Sequence, residues 1–268
     1  MPHTTIYRDL LVVNYYPGRH VVGLGASISE LGRGLQTVLE ALLRVGVKPI
    51  SIEVMPNQSR EGESLLWMVI DVGDVEEGAL KSAILDLESS KTLSSVQLLS
   101  PVVPGLMTDA FFNYKGFLGN RAVIIGTPAL DGFLRGLYES FGEAGAVFLY
   151  HVGKSIGARA SKFYREALNI RDLRQLYRAA ELFFQALGYV RSLNLTKLEK
   201  GVITATLTDN LECLLLKDVR LPPTSHWVRG MIEGVVEVIE GERYESEEVD
   251  CINKGSPVCR IVLRPVLS

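Results

Sequence analysis

The order of hydrophobic periods in the first 100 residues is the feature that most narrows the possible folds. Apolar runs typical of strands occupy residues 20–28, 48–56, 64–72 and 94–99. Between them, two segments repeat apolar residues every three or four positions, which predicts helices over residues 31–45 and 75–88. The resulting β-α-β-β-α-β order is the split arrangement of a ferredoxin-like sandwich, so the chain is predicted to begin with an α+β domain.

Both ends of the first predicted helix carry termination signals. Ser27 and Glu30 stand three positions apart before it, the spacing of a capping box. Gly46 follows the last apolar residue of the helix, where a glycine cap is common. These signals predict a helix bounded by residues 30 and 46.

The first 105 residues resemble the ACT family of regulatory domains. The resemblance rests on the spacing of seven residues along the first helix and the strand after it, namely Leu35, Val38, Leu39, Leu42, Gly46, Val47 and Ile50. Amino-acid-binding ACT domains place an Asp-x-x-Pro-Gly-like turn before this helix, whereas this chain has Ser29 to Gly34 there. We therefore expect this ACT-like domain to serve packing, regulation or dimerisation.

A second domain is expected over residues 106–268, because Pro101 and Pro104-Gly105 mark a connector. A strand is predicted over residues 122–127, followed by helices over 128–141, 142–157, 158–168 and 172–187. From Tyr189 the hydrophobic period changes to two, which predicts a hairpin turned by residues 199–201 and reaching residue 215. This order indicates an α/β domain with an antiparallel sheet and several helices.

The C-terminal block, residues 225–263, is the most specific stretch of the chain. It opens with a predicted helix that places Gly230 and Gly234 one turn apart. Two predicted strands follow, the first with Glu248 and Cys251 and the second beginning at Cys259. A hairpin turn between them could bring both sulfurs to one metal ion, with an oxygen from Glu248 or its neighbour Glu247.

This block is similar to the 4-vinyl reductase domain family, whose members bind small hydrocarbons. The matching motifs are G-x-x-x-G at Gly230 and Gly234, Glu-x-x-Cys at Glu248 and Cys251, and G-x-P-x-C ending at Cys259. With Arg121 to Ile125 and Gly142 to Gly157 in the family's order, the resemblance covers residues 118–265. It implies a buried apolar pocket for an aromatic, isoprenoid or fatty ligand, dimer formation, and a distant likeness to vesicle-tethering subunits.

The resemblance also implies a zinc site of three cysteines and one glutamate. Glu248, Cys251 and Cys259 match three of its ligands, and Ser225 stands at the fourth position. Serine is a poor zinc ligand, so His226 is expected to replace it, with Cys213 as the alternative. The competing interpretation is that the three cysteines are buried small hydrophobic residues and hold no metal.

Six residues of the second domain are the predicted contacts of an apolar ligand. They are Phe133, Leu137, Phe148, His151, Phe183 and Trp227. Pockets for small molecules are lined by apolar and aromatic groups with a few polar anchors, and His151 and Trp227 supply polar tips. The remaining aromatic side chains of the domain are assigned to its core.

Charge and motifs weigh against several classes of function. The net charge is −3 and basic residues are interleaved with acidic ones, so we do not expect direct nucleic-acid binding. The start of the chain lacks the features of a signal peptide and no apolar run is long enough to span a bilayer, so the predicted location is the cytoplasm. No nucleotide or redox cofactor is expected, because none of the fingerprints of catalytic loops or nucleotide sites occurs.

These observations favour a sensor or regulatory protein over an enzyme. In this interpretation the second domain captures an apolar molecule, the chain forms a homodimer, and a partner protein carries the output. Two alternatives remain: a reductase-like enzyme or accessory factor for a hydrophobic substrate, and a dimeric interaction scaffold. Turnover would identify the enzyme, and stabilisation by a ligand would separate the sensor from the scaffold.

Overall fold

The computed structural model describes residues 10, 12–112, 115–218 and 225–266, which form two compact units divided between Ala122 and Val123. The division falls later than the predicted boundary at residue 105. The reason is local strand pairing, because β6 (Leu106–Thr108) pairs antiparallel with β1 (Val13–Tyr15). A short hairpin of β7 (Lys115–Phe117) and β8 (Asn120–Ala122) ends the first unit.

The first unit is built around a four-stranded antiparallel sheet with two helices. The elements are β2 (Val21–Ile28), α1 (Leu31–Arg44), β3 (Lys48–Pro56), β4 (Ser64–Asp71), α2 (Glu77–Glu88) and β5 (Leu93–Leu99). The strand order is β3-β4-β2-β5, and every neighbouring pair is antiparallel. The α+β class is confirmed and the six elements follow the predicted order, whereas the ACT-like assignment stays a prediction.

The start of α1 differs from its prediction. Ser27 lies within β2, and Glu30, the residue before the helix, makes no side-chain capping hydrogen bond. The capping box is therefore wrong, because strand pairing continues through Ser27 to Ile28. The end of the helix is as expected, since Gly46 has a φ of 83°, in the left-handed region that glycine adopts without strain.

Both faces of the first sheet are covered by apolar side chains. On one face, α1 and α2 pack over sheet residues such as Leu24, Met68 and Ile70. On the other, Trp67 and Met107 form a smaller cluster with Phe111 beside it.

In its described residues, the second unit contains five α-helices and a four-stranded antiparallel sheet. Its elements are α3 (Thr127–Phe141), α4 (Glu143–Ala167), α5 (Leu173–Ala186), β9 (Ser192–Lys197), β10 (Ile203–Thr208), α6 (Leu211–Leu215), α7 (His226–Glu240), β11 (Tyr244–Asp250) and β12 (Cys259–Pro265). The strand order is β11-β12-β10-β9. The predicted hairpin turn at residues 199–201 is confirmed as a single 3-10 turn.

Three predicted elements of the second unit differ from the structure. Residues 142–157 and 158–168 form one helix, α4, because Gly157 lies inside it and does not break it. The expected strand over 122–127 ends at Ala122, and α3 begins at Thr127. The far end of the predicted hairpin is the short helix α6.

Helices α4 and α7 cross in direct backbone contact. Gly153 and Gly157 of α4 face the backbone oxygens of Trp227 and Met231, and a methyl group at either glycine would overlap them. Gly230 and Gly234 of α7 face the oxygens of Tyr150 and Lys154 in the same way. Each of the four glycines contacts the backbone of the other helix. Backbone atoms cannot move aside as a side chain can, so these contacts fix the distance between α4 and α7.

A buried polar network lies beside this crossing. The Glu233 side chain has no exposed area; it accepts hydrogen bonds from the Tyr150 hydroxyl at 2.5 Å and from Lys154 Nζ at 2.7 Å. Lys154 also donates to Glu237 at 2.9 Å. Burial alone would raise the pKa of Glu233, but its hydrogen bonds, chiefly from Lys154, hold that pKa below 4.5. The charged pair is thus stabilised inside the helix pair.

Within the described ranges, none of the helices combines the length and apolar character needed to cross a membrane.

Candidate metal centre and ligand cavity

Three sulfurs and a carboxylate converge in the core of the second unit. One ligand atom from each of Cys213, Glu248, Cys251 and Cys259 lies within 4.8 Å of the others. All three cysteine side chains are buried, and none forms a disulfide. This cluster could bind a metal ion.

Three elements and the loop after one of them supply these side chains. Cys213 sits on α6, Glu248 near the end of β11, Cys251 just after β11, and Cys259 at the start of β12. A β-bulge between Glu248 and Asp250 shifts the register of β11 just before Cys251. Bulges redirect side chains at the edges of sheets, and here Glu248 and Cys251 reach the same place.

The fourth member of the cluster is Cys213, the alternative to His226 in the sequence analysis. His226 is half-buried and its Nδ1 lies 3.4 Å from Arg229, outside the group of converging atoms. Ser225, at the position of the expected fourth ligand, is buried and accepts a hydrogen bond of 2.6 Å from Asn210. Asn210 also donates to Cys213 Sγ at 3.3 Å, so one amide orients both side chains.

Glu212, the neighbour of Cys213, fastens α6 to the first turn of α7. Its carboxylate accepts hydrogen bonds from the backbone N–H groups of Trp227 and Val228 at 2.9 and 2.8 Å. The first N–H groups of a helix have no partner within the helix, so a carboxylate there is favourable. Glu212 thereby fixes the short helix that carries Cys213.

The geometry of the cluster fits a tetrahedral ion. Ligand sulfurs about 2.3 Å from a tetrahedral zinc ion stand about 3.8 Å apart. Cys213 Sγ lies 3.8 Å from Cys251 Sγ and 3.6 Å from Cys259 Sγ. Cysteine thiolates and glutamate oxygens are both zinc ligands, so the four side chains form a donor set that zinc can bind.

The polar atoms of the cluster are incompletely satisfied by protein groups. Both carboxylate oxygens of Glu248 are buried without a hydrogen-bond partner among the described residues. Burial, with the nearby Cys259, raises the pKa of Glu248 above its ordinary value, whereas hydrogen bonding with Cys213 lowers the pKa of Cys259 below its ordinary value. Buried polar groups without partners are rare in native proteins, and a cation would give these oxygens one.

A separate apolar cavity lies between α4, α5 and α7. Its volume is about 100 Å³. The lining combines aliphatic and aromatic side chains with small residues and three hydroxyls: Ile156, Gly157, Ala160, Ser161, Tyr164, Arg165, Ile170, Leu176, Ala179, Ala180, Phe183, Phe184, Leu187, Tyr189, Met231 and Val235. The apolar lining is typical of sites for small apolar molecules, and the volume lies below the roughly 300–1,000 Å³ of pockets for drug-sized ligands.

The small residues of α4 and α5 create this space. Ala160 and Ala180 face the cavity where longer side chains would fill it. Tyr164 stacks at a tilt on Phe183, with ring centroids 4.3 Å apart, and this pair forms an aromatic wall. Burial raises the pKa of Tyr189, so its hydroxyl is protonated at neutral pH.

Of the six residues predicted to contact a ligand, Phe183 lines this cavity. Phe133 and Phe148 are half-exposed on α3 and α4, and His151 is exposed with its ring against Tyr150. Leu137 and Trp227 pack in the core. The sequence showed the aromatic residues, but the face of each helix that borders the cavity depends on the crossing of α4 and α7.

The cavity residues that were not predicted include the three with hydroxyl groups, Ser161, Tyr164 and Tyr189. A signal for them was present, because Ile156, Ala160 and Tyr164 repeat every fourth residue along α4. That spacing places the three on one face of a helix. This face of α4 carries small and aromatic residues within an otherwise charged segment, and that contrast could have indicated a cavity.

No protein-family model matches the sequence, and no curated protein does either. Similar solved structures include the phenol-responsive sensory domain of the transcription activator PoxR with phenol, at 18% identity and a TM-score of 0.47 over 55% of this chain and 77% of that chain. A vinyl-4-reductase family protein from Methanocaldococcus jannaschii matches at 17% identity and a TM-score of 0.39, over 55% of this chain and 85% of that one.

Trafficking protein particle complex subunit 3 from Naegleria fowleri, covalently bound to palmitic acid, is also similar. It shows 17% identity and a TM-score of 0.41, and the match covers 53% of this chain and 95% of that chain. The vinyl-4-reductase family, to which the sequence motifs pointed, is thus represented among the similar folds. At these identities and TM-scores the likeness assigns no activity to this chain.

Proposed function

We propose that the second unit binds a small, largely apolar molecule in the cavity between α4, α5 and α7, and that the protein acts as a sensor or regulator. The observation that carries this proposal is the cavity itself, which is apolar, formed largely by helices and supplied with a few hydroxyl groups. Pockets of this composition bind small organic molecules. The residues around it offer no paired acid and base, so binding is favoured over turnover.

The proposal includes a structural zinc ion held by Cys213, Glu248, Cys251 and Cys259. A bound ion of this kind would supply folding free energy and would hold α6 to β11 and β12. All four protein positions are filled by side chains, which is typical of a structural site and leaves no open position for a substrate. The three buried thiols fit a reducing compartment, and we therefore propose the cytoplasm as its location.

Output would pass through another molecule. We propose that the chain forms a homodimer and signals through a partner protein, with the ACT-like first unit as the regulatory or dimerisation module. The two units account for the described residues, and neither contains a motif for DNA binding or ATP hydrolysis. The oligomer is tested by sedimentation of the full chain with and without ligand.

Ligand binding is tested by filling the cavity. Native mass spectrometry of the full chain should show a co-purified or added apolar molecule, and a neutral fluorescent probe such as N-phenyl-1-naphthylamine should bind with a blue-shifted emission. Ala160→Phe places a ring inside the cavity and should abolish both signals. Ala129→Phe, on an exposed position of α3, is the matched control and should bind as the wild type does.

Circular dichroism of both variants separates loss of the cavity from loss of the fold. If Ala160→Phe is folded and still binds the probe as tightly as the wild type, the cavity is not the binding site. If neither the wild type nor the control binds any apolar molecule, the sensor proposal fails.

Metal content gives a second, independent test. Zinc should co-purify at one ion per chain by elemental analysis, and Cys213→Ala should lose it. Ser225→Ala should retain it, because Ser225 is bonded to Asn210 and is not in the cluster. Retention of zinc in Cys213→Ala together with its loss in His226→Ala would overturn the assignment of the fourth ligand.

A further inference from the structure

The apolar cavity adjoins a polar groove on the same unit. The groove is lined by Ala158, Lys162, Arg165, Glu166, Asn169, Ile170, Arg171, Glu237, Val238, Gly241, Glu242 and Arg243. Arg165 and Ile170 belong to both linings. The two concavities therefore meet at the C-terminal end of α4, and a molecule in the cavity can extend towards the groove.

The groove carries an excess of unpaired positive charge. Four of its side chains are cations, Lys162, Arg165, Arg171 and Arg243, and all four are exposed. Among the residues that the structure describes, none of the four has an ion-pair or side-chain hydrogen-bond partner. Each is free to bind an anion.

The carboxylates of the groove are largely engaged elsewhere. Glu237 binds Lys154 Nζ at 2.9 Å and the backbone N–H of Tyr244 at 2.9 Å. Glu242 accepts a hydrogen bond of 3.2 Å from the Tyr244 hydroxyl. The Tyr244 hydroxyl is neutral, so Glu242 keeps its charge and acts with Glu166 against the cations. With Glu237 paired to Lys154, four cations face two free carboxylates in the described lining, so the groove attracts negative charge.

Arg165 occupies the junction of the two surfaces. An arginine can lay its methylene stem along an apolar wall and keep its guanidinium in a polar environment. The guanidinium is a planar donor that matches a carboxylate with two parallel hydrogen bonds. One turn earlier on α4, buried Ser161 lines the cavity and offers it a hydroxyl group.

We propose that the ligand is an anionic amphiphile, with its apolar body in the cavity and a carboxylate held by Arg165 at the edge of the groove. This inference rests on the proposed function, since it specifies the chemical class of molecule for the same cavity. It assigns Arg165 as the residue that selects charged ligands over neutral ones of the same length. The other three cations raise the local concentration of the anion.

The experiment compares two ligands that differ in the head group. Octanoate and octan-1-ol are titrated at pH 7.5 against the full chain loaded with N-phenyl-1-naphthylamine, and the displacement of this neutral probe gives both dissociation constants. The wild type should prefer octanoate by about fivefold, the effect of one partly exposed charge pair. Arg165→Gln should remove that preference and leave the affinity for octan-1-ol unchanged.

Arg159→Gln is the matched control, because Arg159 is also an exposed arginine on α4 and lies in neither lining. It should keep the preference for octanoate. A salt titration adds a second measurement that a packing defect would not change. The preference for octanoate should weaken between 20 and 500 mM NaCl in the wild type and in Arg159→Gln, whereas Arg165→Gln has no preference for salt to weaken.

The outcomes separate the two proposals. Equal affinity of the wild type for both ligands, or a preference that survives Arg165→Gln, overturns the amphiphile and leaves the cavity as a site for neutral molecules. Displacement of the probe by neither ligand, with no apolar adduct in the native mass spectrum, overturns the cavity proposal and this inference with it.

Discussion

The two units of this protein bury different kinds of groups. Within the described residues, the first unit buries a single polar side chain, Ser27, whereas the second buries six, namely Ser161, Glu181, Asn210, Glu212, Ser225 and Glu233. A buried polar group lowers the stability of the fold unless it is hydrogen-bonded. Apolar side chains carry no such cost when they are buried. The larger number of buried polar residues in the second unit therefore indicates a role for them other than packing.

The chain offers a reporter for each unit, which makes this comparison measurable. It contains two tryptophans, Trp67 in the first unit and Trp227 in the second, and both are buried. Trp67→Phe leaves fluorescence from the second unit alone, and Trp227→Phe leaves fluorescence from the first. The unfolding of each unit can thus be followed in the full chain.

The largest expected difference is the effect of a metal chelator. Removing the ion from the cysteine cluster should lower the melting temperature reported by Trp227 by about 10 °C, because a bound structural metal contributes several kcal/mol. The transition reported by Trp67 should shift by less than about 2 °C. Equal shifts of the two reporters would show that the stabilising metal does not belong to the second unit.

The next effect concerns the buried ion pair. Lys154→Met leaves the carboxylate of Glu233 without its cation and should destabilise the second unit by about 3 kcal/mol in urea unfolding. Lys154→Met with Glu233→Met should recover most of this loss, because both charges are then absent. Lys81→Met is the control from the first unit, where the pair with Glu77 is exposed and the substitution should leave the urea unfolding curve nearly unchanged.

A smaller effect is expected at the crossing of α4 and α7. Gly157→Ala forces a methyl group against the backbone of Met231 and should cost about 2 kcal/mol. Gly132→Ala, at an exposed position of α3 with open space around it, should instead stabilise the protein by about 0.5 kcal/mol. Thermal unfolding should show a lower melting temperature for Gly157→Ala and a higher one for Gly132→Ala. If both substitutions lower it, the contact between α4 and α7 does not explain the loss of stability.

The smallest effect is a dependence on pH. The pKa of Glu233 lies below 4.5 in the folded chain, so the unfolded chain binds more protons as the pH falls. The stability that this carboxylate contributes is complete above its unfolded pKa of about 4.5 and is lost as the pH drops through its folded pKa. Urea unfolding of the wild type and Glu233→Gln between pH 3 and 6 should show a steeper decline in the wild type, and parallel curves would contradict the assignment.

The sequence predicted those features of the fold and the site that depend on contacts between residues close together in the chain. The strands and helices of the first unit follow hydrophobic periods, and Cys251 and Cys259 meet because one hairpin carries both. Cys213 lies 38 residues before Cys251, so its place in the cluster depends on the packing of α6, which no local pattern predicted. The faces of the cavity depend likewise on how α4 and α7 cross, and five of the six predicted ligand contacts lie elsewhere.

The contact between α4 and α7 also determines how the cavity can deform. Two of its three walls are locked together by glycines that touch opposing backbone, so they form a fixed frame. Any change in the width of the cavity must come from the third wall, α5. There Glu181 accepts a hydrogen bond of 2.8 Å from the backbone N–H of Leu195 in β9, so a ligand that pushes α5 outward pulls directly on an edge strand of the sheet.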